Sequence, residues 1–202
     1  TQHDECDLSA LLELRAKLNK KYELKISPLA FIAKVTADIL EEFPMLNSSL
    51  DQGLKKIVIK KYVNLGIAVD TPEGLIVPNI KNVQEKSIVN IAEEIAMLAS
   101  AAKTRKLKLP DLKGSSFTIS SLGAIGGKFF TPIINPPEVG ILGVSKTFSK
   151  VVVKNEGFES REFLPLSLSY DHRVINGVYA AQFITQLGAA LGDAVLMEAK
   201  FQ

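Results

Sequence analysis

Four amphipathic helical segments alternate with short apolar strands along almost the whole chain of 202 residues. Apolar residues recur every three or four positions in the helical segments, which is the spacing of one helix face. The strands are short runs bounded by Gly, Pro and Asn. Such helices must bury their apolar face against a second layer. The pattern therefore predicts one α/β domain, a two-layer sandwich of helices on a mixed β-sheet.

Local signals place the ends of these elements. Ser27-Pro28 is a typical helix start, because a hydroxyl N-cap precedes a proline whose missing N–H costs nothing in the first turn. Predicted helices begin at Asp7, Ser27, Ser87 and Gly177 and end near Lys21, Phe43, Lys103 and Leu191. Strands are predicted at 56–62, 64–70, 75–80, 117–122, 139–145, 151–154 and 163–170, with turns at 51–53, 123–127 and 155–157.

The charge balance and the cysteine content exclude several classes of protein. Lys and Arg total 24 against 22 Asp and Glu, a net charge of +2 that favours neither a nucleic acid nor a membrane partner. The single cysteine, Cys6, forms neither an internal disulfide nor a CxxC metal site. We expect it to be a poor nucleophile, because neighbouring acidic residues raise the pKa of a thiol. We expect no signal peptide or membrane span, and a chain that is a fragment of a longer protein.

A strand-to-helix junction near the C-terminus carries the first candidate for chemistry. His172 lies between Asp171 and Arg173, and Asn176 follows it in a turn that opens the last helix. An imidazole can accept or release a proton near neutral pH. No GxSxG elbow accompanies it for a hydrolase, and two distant histidines are too few for a metal site. A purely structural histidine at a turn is the alternative.

Ser120 is the second candidate, because it ends a predicted strand just before the glycine-rich turn at 123–127. A hydroxyl at that place can present a hydrogen bond to an oxyanion. The alternative is a serine that faces solvent or packs modestly. No GxGxxG pattern opens a helix here, so a dinucleotide site is not expected.

The run 169–177, SYDHRVING, resembles the DHRxxDG signature of the dihydrolipoamide acyltransferases of 2-oxo acid dehydrogenase complexes. Further motifs of that family match at 1–5, 43–47, 66–70, 74–78, 117–127 and 137–139. The run 130–135, FTPIIN, is most similar to the acetyl-transferring members, those of pyruvate dehydrogenase. The resemblance implies the chloramphenicol acetyltransferase fold and an acyltransferase catalytic domain over residues 1–202. The family's N-terminal segment and its lipoyl and subunit-binding domains would lie outside this chain.

For catalysis, the resemblance implies transfer of an acyl group, most simply acetyl, from S-acyl-dihydrolipoamide to coenzyme A. His172 would be the general base for the thiol of coenzyme A, and Ser120 of a neighbouring subunit would donate to the oxyanion. Asn176, where many members have Asp, would position the loop without a charge, and Asp171 and Arg173 would brace it. Residues implied to line the coenzyme A channel are Asp70, Ser121, Gly143 and Ser145.

The resemblance also implies partners. A homotrimer is expected, which could assemble into a cubic or dodecahedral core. Lipoamide would arrive on a lipoyl domain, and a 2-oxo acid decarboxylase and dihydrolipoamide dehydrogenase would join the complex. The compartment would be the cytoplasm in a bacterium or the mitochondrial matrix in a eukaryote. Two alternatives stay open: an antibiotic O-acetyltransferase on the same fold, and a non-catalytic core subunit.

Overall fold

A computed structural model describes residues 1–51, 53, 55–154 and 157–201. The helices are α1 (Ser9–Lys21), α2 (Pro28–Glu42), α3 (Ile88–Lys103), α4 (Gly177–Gly192) and α5 (Ala194–Ala199). The strands are β1 (Gln2–Asp7), β2 (Ser48–Leu50), β3 (Ile57–Ile59), β4 (Leu65–Ile67), β5 (Val69–Thr71), β6 (Gly74–Ile76), β7 (Asn79–Ile80), β8 (Phe117–Ser121), β9 (Gly140–Val144), β10 (Phe148–Lys154) and β11 (Gly157–Tyr170).

A seven-stranded mixed sheet forms the centre of the molecule. Its order is β1-β11-β9-β8-β4-β7, and β10 pairs with the first half of the long β11. The pairs β4–β8 and β8–β9 are parallel, whereas β11 is antiparallel to β9, β1 and β10. This arrangement confirms the predicted mixed sheet.

The helices form the second layer over this sheet. Helix α4 packs against β1, and α2 contacts both α3 and α4. Phe31, Phe117 and Phe183 are fully buried where the layers meet, and the rings of Phe117 and Phe183 lie 6.0 Å apart. No helix in the described part of the chain is both long and apolar enough to cross a membrane.

Three parts of the chain differ from the elements predicted locally. The segment before Asp7 is an edge strand, β1, rather than a lead-in to α1, because it pairs with β11 more than 150 residues away. The hairpin or pair of adjacent strands predicted at 64–80 is present in one antiparallel register, but it is interrupted, so that β4 and β7 belong to the main sheet and β5 and β6 form a separate two-stranded sheet. Helix α5 follows α4 directly. The predicted turns at 51–53 and 155–157 lie partly outside the described residues.

Candidate active site

The His172 loop connects β11 to α4 and is held by its own backbone. The N–H of Asp171 donates to the carbonyl of Val139 at 2.8 Å, which fixes the loop to the segment just before β9. The N–H groups of Val174 and Ile175 both donate to the carbonyl of Asp171 at 2.9 Å. His172 is exposed at the tip, and its ring centroid lies 5.8 Å from that of Tyr170. The tight turn therefore presents the imidazole on the surface of the chain.

Asp171 and Arg173 form the expected brace. The backbone N–H and Nε of Arg173 donate to Asp171 Oδ1 at 3.0 and 2.9 Å, and Nη2 donates to Oδ2 at 2.6 Å. These hydrogen bonds from Arg173 lower the pKa of the Asp171 carboxyl below its ordinary value. The pair keeps the two side chains occupied with each other, so they stiffen the loop around His172.

Asn176 has a defined structural role at the end of the same loop. Its Oδ1 accepts a hydrogen bond from the N–H of Tyr179 at 2.9 Å, which makes Asn176 the N-cap of α4. N-cap residues satisfy a backbone donor that would otherwise have no partner in the first helical turn. The cap fixes where the loop ends and the helix begins, and the positioning role of Asn176 in the active site stays a prediction.

Ser120 lies at the opposite end of the sheet from His172. It pairs in register with Gly143, near the C-terminal end of β9, whereas Tyr170 pairs with Gly140 at its start. Roughly 10 Å separate these two levels along the strands, and His172 lies beyond Tyr170. Ser120 and His172 of one chain therefore lie at different levels of the sheet.

Two of the four residues expected to contact coenzyme A share a cavity. Ser121 and Ser145 line a space of about 340 Å³, together with the first turn of α2 around Pro28. Ser145 is 2 % exposed, and its Oγ has no hydrogen-bond partner among the described residues. A buried hydroxyl without a partner is costly unless a ligand or water satisfies it. Of these two serines, Ser121 is exposed, whereas Ser145 Oγ is closed off from solvent.

Gly143 and Asp70 lie elsewhere. Gly143 is buried beneath the ring of Phe130, and a Cβ added at Gly143 would lie only 2.8 Å from Phe130 Cζ. The glycine thus allows close packing of an aromatic ring. Asp70 is exposed on β5 and lines a separate surface pocket with Lys103. The structure does not bring either residue to the cavity of Ser121 and Ser145.

One polar residue near both halves of the site was quoted only as part of a motif. Glu138 is 5 % exposed, and its carboxylate accepts hydrogen bonds from Ser115, Thr118 and Asn135. The sequence holds a signal for it, since a lone acid interrupts the apolar run 136–144. A charged residue is almost never fully buried without partners. The three hydrogen bonds therefore supply the partners that a buried carboxylate needs.

A sequence profile of the family described as "2-oxoacid dehydrogenases acyltransferase (catalytic domain)" matches residues 1–198. Among curated relatives, the chain is 49 % identical over 199 residues to the dihydrolipoyllysine-residue acetyltransferase component of the pyruvate dehydrogenase complex of Buchnera aphidicola (subspecies Acyrthosiphon pisum), covering 96 % of this chain and 50 % of that protein. The corresponding component from Azotobacter vinelandii is 47 % identical over 196 residues, covering 96 % and 31 %. The chain thus spans half or less of the length of these relatives.

Solved structures give the same picture. The dihydrolipoamide acetyltransferase of Azotobacter vinelandii superposes with a TM-score of 0.92 at 46 % identity, covering 98 % of this chain and 82 % of that one. The structure comes from a crystallographic and enzymatic investigation of a serine, a histidine and an asparagine in its catalytic mechanism, spaced along the chain as Ser120, His172 and Asn176 are here. A truncated 2-oxoacid dehydrogenase core from Thermoplasma acidophilum has a TM-score of 0.88 at 39 % identity, covering 96 % and 86 %. Chloramphenicol acetyltransferase, with a TM-score of 0.64 at 13 % sequence identity, shares the fold.

Proposed function

The chain belongs to the acyltransferase family of the 2-oxo acid dehydrogenase complexes, and on that premise we propose that it transfers an acetyl group from S-acetyl-dihydrolipoamide to coenzyme A. The observation that carries this proposal is the match over 96 % of the chain to acetyltransferase components of pyruvate dehydrogenase complexes. The presence of a serine, a histidine and an asparagine at the spacing of the studied catalytic residues adds to it.

In the proposed reaction, His172 accepts the proton of the coenzyme A thiol as the sulfur attacks the thioester carbonyl. The exposed ring at the tip of a braced loop supports this role, since it is free to meet a substrate that approaches from outside the chain. The tetrahedral intermediate then collapses, and the bond to the dihydrolipoamide sulfur breaks. The imidazolium returns its proton to that sulfur, so the base is regenerated and no acyl-enzyme forms.

Ser120 of a neighbouring subunit donates a hydrogen bond to the oxyanion of the tetrahedral intermediate. The location of Ser120 and His172 at opposite ends of one sheet supports a shared site, because each chain then supplies the serine of one site and the histidine of another. A closed homotrimer satisfies this requirement for every subunit. The chloramphenicol acetyltransferase fold of the chain is compatible with such an arrangement.

Coenzyme A occupies the cavity lined by Ser121 and Ser145. Gly143 and Asp70 contribute less directly to the binding of coenzyme A. Gly143 allows the close packing of Phe130, and Asp70 lines a separate pocket on the surface. Lipoamide arrives on a lipoyl domain outside these residues. The trimers assemble into a larger core that binds the decarboxylase and the dihydrolipoamide dehydrogenase, in the bacterial cytoplasm or the mitochondrial matrix.

The first test replaces the proposed base in the full-length protein. We expect His172→Ala to lower kcat by roughly 10²- to 10⁴-fold, the usual contribution of a general base. The ring has no hydrogen-bond partner among the described residues, so the unfolding temperature should stay near that of the unmodified protein. Transfer is measured from S-acetyl-, S-succinyl- and branched S-acyl-dihydrolipoamide in parallel.

The second histidine gives the matched control. His3 Nδ1 lies 2.9 Å from Ser167 Oγ on the opposite side of β11 from β9, and no step of the reaction uses it. We expect His3→Ala to keep the rate of transfer. An undiminished rate in His172→Ala would contradict the proposal, and a preference for a substrate other than S-acetyl-dihydrolipoamide would correct the acyl group.

A further inference from the structure

A buried carboxylate lies between the strand that carries Ser120 and the loop that carries His172. Glu138 is 5 % exposed and immediately precedes Val139 and strand β9. The reaction proposed above gives Glu138 no chemical role. A carboxylate at such a depth is stable only with several hydrogen-bond donors around it.

Three side chains supply those donors. Ser115 Oγ and Asn135 Nδ2 donate to Oε1 at 2.5 and 3.1 Å, and Thr118 Oγ1 donates to Oε2 at 2.6 Å. Burial raises the pKa of Glu138, and the hydrogen bonds from these three side chains oppose that effect. Both oxygens are therefore engaged, and the carboxylate connects segments that are otherwise 20 or more residues apart.

The first connection leads to Ser120. Thr118 stands two residues before Ser120 on β8, so both side chains lie on the same face of the strand. Thr118 is also confined from its other side, since a Cβ added at Gly66 would lie 2.6 Å from Thr118 Oγ1. Strand β8 is thus held at Thr118 between Glu138 and β4, two residues before Ser120, the proposed oxyanion donor.

The second connection leads to His172. The residue after Glu138, Val139, provides the carbonyl that accepts the N–H of Asp171 at 2.8 Å. The N–H of Glu138 donates to the carbonyl of Asn135 at 3.0 Å, so the segment before Val139 closes on itself. A shift of Glu138 would move the carbonyl to which the His172 loop is fixed.

We infer that Glu138 is a positioning residue that holds Ser120 and the His172 loop of one chain in fixed relation, acting through Thr118 and through the Val139 carbonyl. The inference rests on the proposed function, because it gives these two residues catalytic roles. In the shared sites proposed above, one Glu138 adjusts two different active sites. It touches no substrate, so its loss should reduce turnover rather than binding.

The test compares Glu138→Ala and Glu138→Gln in the full-length protein. We expect the alanine variant to lower kcat by roughly 10- to 100-fold, the range for a small misplacement of reacting groups, with little change in the KM values. Glutamine keeps the shape and one carbonyl oxygen, and the hydroxyls of Ser115 and Thr118 can turn to accept from its amide. Glu138→Gln should therefore recover most of kcat.

Thr118 gives an independent check of the same connection. Thr118→Val removes the hydrogen bond to Glu138 with little change of shape, whereas Thr118→Ser keeps it. We expect kcat to fall in the valine variant and to stay near the unmodified value in the serine variant. Equal kcat values for the two would overturn the role assigned to Thr118.

A matched loss of stability separates positioning from general damage. Leu11→Ala removes a fully buried side chain of α1, away from the carboxylate, and should lower the unfolding temperature. At a temperature where both variants are folded, Leu11→Ala should keep its kcat and Glu138→Ala should not. If Glu138→Ala keeps its kcat, or loses no more than Leu11→Ala, the inference is wrong. If the unmodified protein transfers no acetyl group, or His172→Ala keeps the rate, the proposed function fails instead.

Discussion

Cys6 shows how the environment of one residue sets its reactivity. It lies on β1 at 7 % exposure, and burial, with smaller contributions from Asp4 and Asp7, raises the pKa of its thiol to about 12. The acidic neighbours alone suggested this direction from the sequence. The larger cause, burial, depends on β1 joining the sheet, which no local pattern indicated.

The raised pKa makes a prediction about alkaline stability. Above the ordinary thiol pKa of 9.0, the unfolded chain releases a proton that the folded chain keeps, so the free energy of unfolding falls as pH rises toward 12. Cys6→Ala removes this contribution. We expect the variant to lose less stability between pH 8 and 10 than the unmodified protein, as measured by urea unfolding, although its cavity costs some stability at every pH. Parallel curves for the two proteins would contradict the assignment.

Individual site residues differed in how far sequence could place them. His172 and Ser120 were identified because each occupies a strand end next to a turn, where side chains point away from the core. The cavity of Ser121 and Ser145 depends on the first turn of α2 and the end of β9 bordering one space, which sequence spacing does not encode. Glu138 was missed as a functional residue since its partners lie up to 23 residues away.

Helix α4 begins where the His172 loop ends, so its N-cap belongs to both the loop and the helix. Asn176 caps α4 through the N–H of Tyr179, and Ser87 caps α3 through the N–H of Asn90 at 3.3 Å. Both helices contain 16 residues, so the two caps can be compared directly. Only the cap of α4 adjoins His172.

We expect Asn176→Ala and Ser87→Ala each to lower the free energy of unfolding by about 1 kcal/mol. Asn176→Ala should in addition lower kcat, because the loop loses its fixed end, whereas Ser87→Ala should not. Asn176→Asp restores a cap, and its charge favours the helix N-terminus. Thermal unfolding and acetyl transfer distinguish the effects; an unaltered kcat in Asn176→Ala would confine the residue to a structural role.

At the level of elements, locally capped helices were the most predictable. Ser27-Pro28 and Ser87 marked the starts of α2 and α3, and Phe43 marked the end of α2, as the structure confirms. The Ser87 side chain makes the expected capping hydrogen bond, whereas the predicted hydroxyl cap of Ser27 is wrong, because its side chain makes none. Strand β1 and the first half of β11 were not predicted. Their stability comes from pairing with distant strands, and their alternation of exposed and buried residues is weak.

At the scale of the whole molecule, the two proposed catalytic residues lie at opposite ends of the central sheet. Ser120 lies at the C-terminal end of β8, and the His172 loop follows the opposite end of the sheet. Sequence identified both residues but could not show this separation, because strand register alone determines it. The proposed sharing of sites between subunits rests on this separation.

Mixed assemblies provide the test at this scale. Chains with His172→Ala or Ser120→Ala alone should be nearly inactive. For Ser120→Ala we expect kcat to fall by roughly 10²- to 10³-fold, the usual cost of losing an oxyanion donor. When the two variants are co-expressed in equal amounts with different tags and purified as mixed trimers, each trimer has one site, about a third of its sites, that combines an intact histidine with an intact serine. We expect about that fraction of the unmodified rate. A rate no higher than the sum of the separate variants would contradict shared sites.

The opposed ends of the sheet also have a genetic consequence. If one chain supplies parts of two sites, a chain that has lost both Ser120 and His172 also inactivates sites to which unmodified neighbouring chains contribute. With half of the chains defective, only about a quarter of the sites stay intact, because an intact site needs two intact contributors. Such an allele would be dominant-negative, and its severity would follow the square of the intact fraction rather than the fraction itself.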